Sequence, residues 1–122
     1  MEEGEKLNFL LRSLMSKVEG MESVGLFGRE GIVVSLISDE DLSDDYLGDM
    51  CAKILATSEY LSMEIKEELD FVFLKSEEGG YLIMQCGYDY FLGSIVLDDV
   101  RMDLTLLYMK KTVNRILDLL EY

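Results

Sequence analysis

The chain has no histidine, no proline and only two cysteines, Cys51 and Cys86, which lie far apart and outside any Cys-x-x-Cys pattern. Without histidine, the residue most used as a general base and zinc partner is missing, so nucleophilic triads and structural zinc sites lose their main component. Two isolated thiols fit buried, reduced cysteines of a cytoplasmic protein better than a disulfide framework. Positive charge is also scarce: 11 lysines and arginines face 25 aspartates and glutamates, a formal net charge of −14. Sequence-independent binding to DNA or RNA draws its affinity from phosphate neutralisation, so this balance argues against nucleic acid, and an anionic membrane surface is disfavoured on the same grounds. No apolar run approaches the roughly 20 residues that span a bilayer. The start, Met1-Glu2-Glu3-Gly4-Glu5, is acidic where an export signal is basic. With no proline, low-complexity linker or internal repeat, residues 1–122 read as one domain, with 1–4 disordered.

Apolar residues make up 49% of the chain, enough for a real core and too many for a disordered acidic tail. Gly25 to Ser35, GLFGREGIVVS, carries three glycines spaced three apart. A phosphate-binding loop would follow its last glycine with Lys and Ser or Thr, and a dinucleotide fingerprint would open a helix there. Here the β-branched run Ile32-Val33-Val34 follows, which favours a strand. The stretch therefore reads as a hairpin: strand Val24 to Phe27, turn Gly28 to Gly31, strand Ile32 to Ile37. The chain itself is expected to bind no nucleotide, cofactor or metal.

Ahead of the hairpin, Leu7, Leu10, Leu11, Leu14 and Val18 predict an amphipathic helix over about residues 5–19, closed by Gly20. After it, Ser38-Asp39-Glu40-Asp41 forms an acidic loop and Ser43 is placed to cap a second helix from Asp44 to about Ser62. The carboxylates of this loop lack the central glycine and closing glutamate of a calcium-binding loop. In the second helix, Leu47, Cys51, Ile54, Ser58, Leu61 and Ile65 form a core stripe, and Tyr46, Met50, Thr57 and Tyr60 form a neighbouring one. So broad an apolar face implies two packing partners. Leu69 to Leu74 (LDFVFL), Tyr81 to Cys86 and Phe91 to Leu97 read as three more strands, and Leu106, Met109, Val113, Ile116, Leu117 and Leu120 mark a last helix from about Met102. The strands are nearly continuous apolar runs, so both sheet faces are expected to be covered.

Several side chains invite chemistry. Asp98 and Asp99 have no nucleophile beside them and read as a turn, Cys51 falls on a core stripe, and Gln85 reads as a hydrogen-bonded side chain near the sheet edge. Tyr81, Tyr88 and Tyr90 are candidates for a ligand cleft around the last hairpin, although exposed turn tyrosines are commoner.

SVGLFGREGIVVS resembles the opening hairpin of the Roadblock/dynein-light-chain family, and YLIMQCGYDYFLGSIVLDDVRMDLTLLYMKKTVNRI is similar to its last two strands, connecting loop and C-terminal helix. Asp103-Leu104 stands where many members have Asn-Leu. The resemblance implies an α+β, profilin-like sandwich: a five-stranded antiparallel sheet of order 2-1-5-4-3, one long helix on one face and the terminal helices on the other. It implies homodimers joined through the third strands and second helices, placing Tyr46, Met50, Tyr60, Phe71, Val72 and Phe73 in the interface. LDFVFL supports this independently, as a long apolar edge with only Asp70 as a gatekeeper. Members serve as non-enzymatic regulatory or adaptor subunits of Ras-like small GTPases, which would meet the second helix around Asp45, Asp49 and Lys53. A pure scaffold subunit and a small-molecule sensor on the same fold are the alternatives.

Overall fold

The computed structural model describes residues 2–38 and 44–121, with the side chains of the second stretch described from residue 47 onward. The elements follow in the order α1 (Glu3–Lys17), β1 (Met21–Gly28), β2 (Val33–Ser38), α2 (Asp44–Glu64), β3 (Phe71–Lys75), β4 (Gly79–Cys86), β5 (Tyr90–Leu97) and α3 (Met102–Leu119). Every neighbouring strand pair is antiparallel, and the sheet order is β2-β1-β5-β4-β3, as the resemblance implies. The acidic loop and the Ser43 cap lie outside the described residues.

The two faces follow from the two-residue period of a strand. Val24, Leu26, Leu82, Met84, Cys86, Leu92 and Val96 point to one side and pack with Leu7, Leu11 and Leu14 of α1 and with Met109, Val113 and Ile116 of α3. Phe27, Ile83 and Phe91 point to the other side, under Cys51 and Leu55 of α2. Helices thus lie on both faces, fully on the α1–α3 side and in part on the α2 side, which is why the strands read as unbroken apolar runs.

Glycines set the close approaches. The rings of Phe27 and Phe91 stack at 5.1 Å. The Phe27 ring also lies over Gly25 and Gly93, which are register partners, and a Cβ on Gly25 would fall 2.7 Å from it. Gly31 takes φ +97° in the β1–β2 turn and touches Gly48 of α2: a Cβ on Gly48 would sit 2.0 Å from the Gly31 carbonyl oxygen. In GLFGREG, Gly25 therefore makes room for an aromatic ring and Gly31 serves both the turn and the helix crossing, whereas a Cβ on Gly28 would meet only Ile32, at 3.8 Å or more.

Several boundaries differ from expectation. Helix α1 begins at Glu3, so Glu3 and Gly4 are helical where disorder was expected; Glu3 and Glu5 in the first turn complement its dipole. It ends at Lys17, before the left-handed Gly20. Ile32 is exposed and precedes β2, while β4 begins at Gly79, two residues early. Gly79 passes so near Val96 O that only a residue without Cβ fits there.

The outer strands differ. Leu26 and Phe27 of β1 pair with Ser35 and Val33 of β2, so Val34 has no partner in the register and forms a bulge. The β3–β4 register runs unbroken from Phe71↔Met84 to Lys75↔Gly80.

Candidate interaction surface

Helix α2 crosses the sheet near one end of the strands. Its start meets the β1–β2 turn at Gly31, Cys51 and Leu55 lie over Phe27 and Phe91, and Glu59 reaches Gln85 of β4. A half-buried polar cluster fixes this crossing. The Arg29 guanidinium donates to Glu59, Gln85 Nε2 lies 3.4 Å from the other Glu59 oxygen, and the Tyr88 ring stacks 5.5 Å from the guanidinium carbon. The Arg29 backbone amide also donates to the Asp89 carbonyl at 2.9 Å. Gln85 thus finds its partner on α2, one strand in from the sheet edge.

The core stripe of α2 is rotated from the expected one. Leu55, absent from both expected stripes, is buried, while Leu61 and Ile65 are exposed. The outward half is correspondingly apolar: Tyr60 and Met63 are each 72% exposed, and Met50 is 41% exposed. Asp49 and Lys53 stand on this side, paired at 3.0 Å one helical turn apart. The side chains of Asp45 and Tyr46 lie outside the described residues.

Beside α2 the same sheet face is incompletely covered. Leu74, Tyr81 and Ile95 are register partners across β3, β4 and β5; Leu74 is exposed and the other two are half-buried. A groove of about 400 Å³ opens over them. The Tyr81 hydroxyl is buried with no hydrogen-bond partner among the described residues, and its pKa is raised by burial and by the Cys51 charge. Tyr81 lies at the far end of β4 from Tyr88 and Tyr90, so the three tyrosines do not share a cleft: Tyr81 faces Leu74, whereas Tyr90 faces Cys86.

The residues proposed for strand pairing divide in two. Val72 packs under α2, but Phe71 and Phe73 turn their rings toward α1 and α3, where the Phe73 ring lies over Gly80. Their backbones alone reach the β3 edge. No sequence pattern separates ring from backbone here, because LDFVFL is apolar on both faces.

Cys51 and Cys86 are both free and buried, and burial pushes their thiols up to about 11 and about 12. Neither suits a nucleophile, which needs a lowered pKa. Native protein at pH 8 is expected to react with a thiol reagent only as fast as it unfolds; rapid labelling of either cysteine would contradict this. Because the folded pKa values are raised above the ordinary 9.0, the stability linked to them is complete below about pH 9 and declines as pH rises toward 11–12. Among the described residues, no three His, Cys, Asp or Glu side chains gather as a metal site would need, and no helix is long and apolar enough to cross a membrane.

Comparison with known proteins bears on this arrangement directly. The Roadblock/LC7 domain matches residues 7–96. The chain belongs to the Roadblock/LC7 family. Among solved structures, a protein described as MglB with tetrameric arrangement superposes with TM-score 0.91 at 15% identity, over 99% of this chain and 92% of that one. Gliding protein MglB from Thermus thermophilus gives 0.90 at 15% identity, over 99% and 93%. MglB from Myxococcus xanthus gives 0.90 at 20% identity, over 99% and 92%. At these identities the likeness is one of fold. No curated protein matches by sequence.

Proposed function

We propose that this Roadblock/LC7 protein is a non-enzymatic, homodimeric regulator that binds a Ras-like small GTPase and alters its nucleotide cycle. The observation that carries the dimer is the convergence of three unsatisfied features on one side of the molecule. Among the described residues the β3 edge is regular and unpaired, the sheet row Leu74–Tyr81–Ile95 is left open beside it, and the outward half of α2 exposes Met50, Tyr60, Leu61 and Met63. A two-fold mate joined at β3 would lay its own α2 alongside this one, over the open row. Stable interfaces bury about 1,200–2,000 Å² in total, more than strand pairing alone supplies, so helix and sheet face are both required. The β2 edge, kinked at Val34, is the poorer template.

The GTPase rests on family membership, since a fold by itself does not assign a function. Paired α2 helices form one broad surface on the two-fold axis, which seats a single asymmetric partner, so one GTPase per dimer is expected. Asp45 and Asp49 then meet a basic patch on the partner. Stopped-flow mixing with a Ras-like GTPase from the same genome, carrying a fluorescent guanine nucleotide, tests this. Nucleotide release or hydrolysis should change at one GTPase per dimer. Asp45→Lys with Asp49→Lys should slow association roughly ten-fold at low salt and less at high salt. Unchanged rates in the double variant would move the docking site off α2. Calorimetry of the protein alone with GTP or ATP and magnesium should give no binding heat; micromolar affinity would overturn the hairpin reading of GLFGREG.

A further inference from the structure

On the opposite side of the sheet, a groove runs between α1 and α3, lined by Leu10, Ser13, Lys17, Tyr108, Lys111 and Arg115 among others. None of its lining residues is a carboxylate, in a chain where 25 acids outnumber 11 bases. Lys17, Lys111 and Arg115 form no ion pair among the described residues; Lys6, Arg12 and Lys66 are also unpaired but stand apart from the groove, which alone gathers three such cations. Lys111 lies 5.9 Å from the centre of the Tyr108 ring, and Lys17 in the last turn of α1 suits that helix end. Neither circumstance accounts for Arg115 or for the exclusion of acids. Beside the groove, Leu107, one turn from both Leu104 and Lys111 on α3, is exposed.

We propose that this groove is a second docking site, which takes an acidic, leucine-bearing segment of another protein. Charge complementarity selects that occupant: three unpaired cations flank an apolar floor with no carboxylate in its lining, and the net charge of −14 disfavours acidic chains on most of the remaining surface. A bilayer fits worse, because a flat anionic surface would also meet the carboxylates of Glu19 and Asp99, which line the adjoining groove at Lys17. A second copy is already seated elsewhere in the proposed dimer, at β3 and α2 across the sheet. The site lies across the sheet from α2, so it is independent of the GTPase reading and leaves both surfaces free at once, as an adaptor requires.

The probe is a fluorescein-labelled peptide of repeated Glu-Glu-Leu-Leu, read by anisotropy against the full chain. Binding is expected, weakening steeply as salt rises and falling at least about ten-fold in Lys111→Glu with Arg115→Glu. Both positions are exposed, so circular dichroism should confirm an unchanged fold. Absence of binding, or equal binding by the double variant or by a Ser-Ser-Leu-Leu peptide, would overturn the proposal. So would binding of phosphatidylserine vesicles in place of the peptide, or a change of oligomeric mass in the variant. The same variant should still alter the nucleotide cycle of the GTPase, so failure of one reading leaves the other standing.

Discussion

A chain carrying Met50→Glu and Tyr60→Glu is expected to sediment as a monomer at micromolar concentrations where the unaltered chain sediments as a dimer. Both side chains are exposed on the single chain, so the substitutions leave its core intact. In the proposed dimer they lie near the two-fold axis, where each introduced carboxylate faces apolar surface and its own symmetry mate. Substitutions at the centre of an interface cost about 2 kcal/mol or more each, so the pair should raise the dissociation constant roughly a thousand-fold. Val72→Pro is a blunter probe, because Val72 also packs beneath α2 and its loss would weaken the fold. Sedimentation velocity with circular dichroism as a fold control decides the matter. A monomeric unaltered chain, or a double variant that remains dimeric, would remove the β3–α2 interface.

Gly48→Ala should reverse the usual sign of a glycine-to-alanine change in a helix. Inside a helix alanine ordinarily gains about 0.5–1 kcal/mol over glycine. At Gly48 the new methyl would lie 2.0 Å from the Gly31 carbonyl oxygen and 3.1 Å from the Phe27 ring. Neither neighbour yields easily, since one is backbone in a tight turn and the other is stacked on Phe91. Either α2 lifts or the hairpin shifts, at an expected cost of about 3 kcal/mol. Gly4→Ala in α1 is the matched control: its methyl would meet nothing within 4 Å, and it should be neutral or slightly stabilising. Urea denaturation measures both. An unchanged midpoint for Gly48→Ala would mean that α2 and the hairpin do not touch.

The sequence carried what local chemistry determines. The β-branched run after Gly31 separated hairpin from phosphate loop, and the spacing of Leu7, Leu11 and Leu14 marked the buried side of α1. The rotation of α2 was not legible. Its apolar residues spread over more than one stripe, so Leu61 and Ile65 continued the stripe in sequence, while the sheet beneath placed Leu55 and Glu59 inward. The Arg29–Glu59 pair joins residues thirty apart, and no local pattern predicts such a contact. The same applies to Gly48, whose small size matters only because Gly31 lies against it. The resemblance supplied the strand order; periodicity alone would have given the pairings of consecutive strands but not β1 beside β5.

The bulge at Val34 bears on assembly size. Joining two chains at β3 leaves a β2 strand at each end of the common sheet, and a regular strand there would template a third chain, then a fourth. The kink breaks the hydrogen-bond ladder at Val34, where flat pairing would need continuity. If the proposed β3 pairing forms, strand addition is then expected to stop after a single step, leaving a closed dimer and no fibre.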